Sequence, residues 1–110
     1  MIDVTYSNNA ELFALSLTIK GHSGYAEHGK DIVCASASIL AYTLAHMVSL
    51  YEGKLVDMPT IELASGDTII ACECKHRDGY ATVLKAFQFA VEGYSLLARN
   101  YPQYVRLIRS

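Results

Sequence analysis

Ile2, Val4 and Tyr6 alternate with Asp3, Thr5 and Ser7, and a second alternation runs through Phe13, Leu15, Leu17 and Ile19. Period two over short stretches predicts strands, and Ser7-Asn8-Asn9 between them supplies turn formers, so the first twenty residues read as a β-hairpin. Residues 21–30 contain three glycines and two histidines in no helical or strand period and read as a loop. Asp31 is a good N-cap for the apolar run that follows, which reads as a helix to about Tyr51, where Glu52-Gly53-Lys54 stops it.

Residues 59–64 and 68–74 read as strands joined across Ser65-Gly66-Asp67. From Tyr80 onward, Val83, Leu84, Phe87, Ala90, Val91, Tyr94, Leu97 and Ala98 recur at helical spacing, opposite Lys85, Gln88, Glu92, Ser95 and Arg99. Asn100 and Pro102 end that helix, and residues 104–109 alternate as a last strand. The order β-β-α-β-β-α-β predicts an α+β domain over 1–110, with two helices packed on a largely antiparallel sheet.

Composition narrows the function classes. With 52% apolar residues in 110, the chain can bury one core, and a net charge of -2 gives no field for holding phosphate backbones. Direct nucleic-acid binding is therefore not expected, and Arg99, Arg106 and Arg109 read as a solvated face. The start MIDVTYSNN lacks the pattern of a secretory signal, which makes a cytoplasmic location the expectation. The run Ile32–Leu50 has no Asp, Glu, Lys or Arg and approaches a membrane span in length. Ser36, Ser38, Thr43, His46 and Ser49 interrupt it and no basic cluster follows, so it reads as a central buried helix, with no membrane partner.

Chemistry is concentrated at the loop-helix junction. With Asp31 as N-cap, Cys34 is the third helical residue, where unpaired N–H groups and the helix dipole favour a thiolate. A cysteine hydrolase also needs a base that accepts the thiol proton and returns it to the leaving amine. His22 and His28 are both candidates that spacing does not separate. Asp31 either orients a histidine or caps the helix through the Cys34 N–H, which would then be unavailable to an oxyanion. Gly21, Gly24 and Gly29 either offer N–H groups to an oxyanion or relax the turn. Ser36 and Ser38 ordinarily bond back to the helix backbone, although Ser38 shares a face with Cys34 and is placed for a substrate contact. Cys72 and Cys74 alternate on one strand face, too few ligands for a zinc site, and read as core thiols; no metal is expected. His46 reads as an interior histidine and His76 as a solvated turn residue.

The run Gly-His-x-Gly-Tyr-Ala-x-x-Gly-x-Asp-Ile-Val-Cys-Ala-x-x-Ser from Gly21 to Ser38 resembles the signature of the ribosomal-processing cysteine proteases. The resemblance implies a homodimeric bacterial peptidase, without cofactor, that removes a short N-terminal extension from the precursor of large-subunit ribosomal protein twenty-seven. It implies His22 and Cys34 as the catalytic pair and leaves His28 in an open slot of the motif. It also implies a substrate extension ending in consecutive aromatic residues. These are expected to enter a pocket lined by Tyr25 and Ala26 of a loop that lies open until a peptide binds, together with apolar residues of the first helix or a partner subunit. The competing readings are a non-catalytic ribosome-assembly or peptide-binding module and, more remotely, a thiol redox sensor using Cys34.

Overall fold

A computed structural model describes residues 1–27 and 29–110, so the candidate base His28 lies outside the described residues. The first hairpin forms as β1 (Ile2–Asn9) and β2 (Ala14–Lys20), paired antiparallel with Val4 opposite Ile19 and Tyr6 opposite Leu17. The strand β1 runs on through Asn8 and Asn9, and the turn falls later than expected. Phe13 belongs to that turn with φ 55, so it is not the first residue of the second strand. Its ring stacks on Tyr80 at 5.1 Å, which offsets the unfavourable backbone region.

Next come α1 (Ile32–Leu50), a single 3-10 turn at Glu52–Lys54, and the second hairpin, β3 (Thr60–Ala64) with β4 (Asp67–Glu73). The chain closes with α2 (Arg77–Asn100) and β5 (Val105–Arg109). The helix α2 begins three residues before the apolar period does, because its first turn is polar and its start faces solvent; His76 is its N-cap rather than a free turn residue. Cys74 leaves the ladder of β4, donating its N–H to the Phe13 carbonyl at 2.9 Å and bridging to Leu55.

The sheet order is β3-β4-β2-β1-β5, antiparallel throughout except that β5 returns parallel to β1. Ile2, Val4, Leu15, Leu17, Ile19 and Ile70 share its buried face. Against that face α1 lays Val33, Ala37, Ala41, Leu44, Ala45 and Val48, and α2 lays Val83, Phe87, Ala90, Val91 and Tyr94. Each large side chain buried this way contributes roughly 1.5–3 kcal/mol. The helices are tied to one another by the buried Tyr94 hydroxyl, which donates to the Ala37 carbonyl at 2.8 Å. Burial also pushes the Tyr94 phenol pKa up, so it remains a donor. His46 falls off the buried stripe of α1 and is exposed, contrary to the interior position expected from its apolar neighbours. Because α1 is apolar nearly all round, local composition alone could not show which side faced the sheet.

Candidate active site

The loop before α1 is fastened at several points. Gly21 adopts φ 93 and donates its N–H to the Gly66 carbonyl at 3.0 Å; a side chain at this position would meet the Met1 carbonyl. The Met1 amino group donates to the His22 carbonyl at 2.6 Å. Ser23 is buried, and its hydroxyl donates to Asp31 Oδ2 while accepting the Tyr25 N–H at 3.1 Å. The other oxygen of that carboxylate, Oδ1, accepts the Cys34 N–H at 2.9 Å, and Asp31 has the extended backbone of an N-cap, φ -88 and ψ 101.

Asp31 is therefore a helix cap, with both oxygens engaged away from His22. Desolvation alone would raise its pKa, but the Ser23 hydroxyl and the N–H groups of Cys34, Ala26 and Val33 outweigh it and hold the carboxyl below its ordinary value. In this state the Cys34 N–H is committed to the cap and does not serve an oxyanion.

Tyr25 does not line a pocket beside Cys34. Its ring packs edge-on against Tyr101 at 5.6 Å and Tyr104 at 5.2 Å, where aromatic edge-to-face contact is favourable. The loop thus has an aromatic anchor that was not expected from its glycines.

Two cavities meet at the start of α1. One, of about 220 Å³, lies between α1, β2 and the β3–β4 hairpin, with Ile2, Ile19, Ala37, Ala41, Leu63 and Ala64 among its apolar walls. The other, of about 290 Å³, lies under the loop and is lined by Ser23, Gly24, Ala26, Gly29, Asp31 and Ala35. Three side chains line both: His22, Cys34 and Ser38. The exposed His22 and half-buried Cys34 therefore stand on the divide between two pockets. Ser38, one helical turn beyond Cys34, shares that divide. Ser36 instead back-bonds to the Ile32 carbonyl at 2.7 Å. The wall supplied by the β3–β4 hairpin, and Ser23 as the second partner of Asp31, went unnoticed in the sequence.

The remaining thiols lie elsewhere. Burial, reinforced by its neighbour Cys74, pushes the Cys72 thiol up to about 12, and Cys74 is raised as well, chiefly by burial. Both behave as core groups. Among the described residues, no group of three or more His, Cys, Asp or Glu side chains is placed to hold a metal ion. A larger cavity, of about 620 Å³, lies between α1 and α2, with a mostly apolar lining that includes no cysteine or histidine.

Comparison with known proteins gives this geometry a context. A sequence model of the family described as cysteine protease Prp matches residues 1–106. The ribosomal processing cysteine protease Prp of Bacillus subtilis (strain 168) is 32% identical over 53 residues, 48% of this chain and 47% of that protein, so the match spans about half the relative's length. Among solved structures, the essential ribosomal processing protease Prp from S. aureus, in complex with a covalently linked product peptide, superposes with a TM-score of 0.78 at 22% identity, covering all of both chains. SMU.848 from Streptococcus mutans superposes with a TM-score of 0.69 at 24% identity, over 99% of this chain and 93% of that one. These likenesses show the α+β fold to be shared. The family match leaves out only the last four residues and takes in the whole run that folds into the thiol-bearing helix start, and on that basis the chain belongs to the cysteine protease Prp family.

Proposed function

We propose that this chain is a cytoplasmic cysteine endopeptidase that removes a short N-terminal extension from the precursor of large-subunit ribosomal protein twenty-seven. Cys34 is the nucleophile and His22 the base. One observation carries the assignment: His22, Cys34 and Ser38 are the side chains common to the two cavities. A peptide laid across Cys34 then has a separate cavity for each side of the scissile bond.

His22 takes the Sγ proton, and the thiolate attacks the carbonyl carbon. The proton passes to the amide nitrogen as the C–N bond breaks, and water hydrolyses the thioester. The apolar walls beside the β3–β4 hairpin suit an aromatic side chain next to the cut. The substrate assignment draws on the ribosomal processing role named for the relatives.

The test is cleavage of the extension-bearing precursor. Cys34→Ala and His22→Ala are each expected to lower kcat/KM by about 10³-fold or more while the fold is kept. A wild-type rate in either variant overturns the catalytic pair. No cleavage by the wild type favours a peptide-binding module, and equal cleavage of unrelated unfolded proteins overturns the substrate.

The same reading makes the protein a homodimer. Phe89 is 78% exposed at the rim of the apolar groove between α1 and α2. A ring and a groove on one face are what an isologous two-fold contact requires, each ring entering the other copy's groove. Sedimentation is expected to show a dimer that Phe89→Glu converts to monomer. A monomeric wild type overturns the dimer and leaves the groove to a different partner.

A further inference from the structure

The β3–β4 turn makes a contact with the loop that neither the motif nor the family match assigns. Gly66 has φ 73, and a Cβ placed on it would lie 2.6 Å from His22 Nε2 and 2.9 Å from Cε1. The imidazole therefore rests against the bare backbone of the turn, closer than any side-chain-bearing residue allows. The turn is itself fixed to the chain that leads into His22. Its Gly66 carbonyl accepts the Gly21 N–H at 3.0 Å, and Asp67 pairs with Lys20, its partner in the β2–β4 register. The residue directly before His22 and the edge of its ring are thus both located by the same three-residue turn.

We propose that Gly66 is a positioning residue for the reaction, its missing side chain forming the seat that holds His22 at the cavity shared with Cys34. The proposal rests on the assignment of His22 as the base. Gly66 also borders the cavity with the apolar walls, but the three atoms nearest a methyl group at 66 all belong to the His22 ring, so the imidazole is what it displaces. The expected signature is therefore a loss in turnover rather than in binding.

Gly66→Ala is expected to lower kcat by about tenfold or more while KM changes by less than about twofold. Gly66→Asn carries the same Cβ, tolerates the left-handed backbone better, and is expected to lose kcat in the same way; it carries the test if the alanine variant does not fold. Iodoacetamide modification of Cys34 isolates the coupling. Gly66→Ala is expected to slow it in the wild-type background and to leave it unchanged in a His22→Ala background. A folded Gly66 variant with wild-type kcat overturns the proposal, as does an equal slowing in both backgrounds, which would place the effect outside His22. Wild-type hydrolysis by His22→Ala, in contrast, overturns the assignment of the base itself.

Discussion

Cys34 and the pair Cys72 and Cys74 are the same chemical group in two settings. Cys34 sits in the first turn of a helix, half-buried, at the meeting of two cavities. Cys72, half-buried near the end of β4, and Cys74, buried just past it, both have thiol pKa values raised chiefly by desolvation. Desolvation makes a cysteine inert, whereas a helix start with open space beside it leaves a thiol reachable, and here His22 lines the same space. On the proposed reading, reactivity in this chain follows from placement, and Cys34 is the thiol that has it.

The sharpest way to break that contrast is to alkylate the folded protein at neutral pH. Cys34 is expected to react with iodoacetamide at least about 100-fold faster than Cys72 or Cys74, and peptide mapping of the labelled sites measures it. Comparable rates would show that the two settings do not differ as described.

A smaller effect separates the cap from the chemistry. Asp31→Ala removes the acceptor for the Cys34 N–H and is expected to cost about 1 kcal/mol in urea unfolding. The Asp31 carboxyl is held below its ordinary value in the folded state. Its contribution to stability is accordingly present above the unfolded-state value and is lost as pH falls through the folded one. Asp31→Asn keeps an acceptor at the cap but cannot titrate. Its loss of stability between about pH 6 and about pH 3 is expected to be smaller than in the wild type, and an unchanged acid profile would show that the Asp31 charge contributes nothing.

Strands and helices were legible wherever one periodicity ran uninterrupted. The alternations at Ile2 to Tyr6 and Leu15 to Ile19, and the α2 stripe from Val83 to Ala98, all lie on elements that form. Failures came where a local signal met a tertiary partner. Phe13 fits the alternation of β2, yet its ring is taken by Tyr80, and its backbone turns left-handed. His46 has apolar neighbours in sequence but stands off the stripe that meets the sheet.

At the site, the loop-helix run was readable because its residues are contiguous, including the cap made by Asp31. Gly66 read only as turn chemistry, since its contact with His22 joins residues more than forty apart, beyond any local pattern. Ser23 was silent for a similar reason: nothing in its neighbours marks a hydroxyl that will be buried beneath a helix cap.

The packing of Tyr25 against Tyr101 and Tyr104 bears on the order in which the molecule becomes functional during synthesis. The loop, its cysteine and both hairpins are translated before the two tyrosines that moor the loop, and β5, which completes the sheet beside β1, follows them. Chains emerge N-terminus first, so a nascent chain can pair β1 with β2 and start α1 while Tyr25 still has no ring to rest on. The loop therefore takes up its moored position only after Tyr101 and Tyr104 have emerged, and a ribosome stalled before Tyr101 would display the Cys34 thiol beside an unmoored loop.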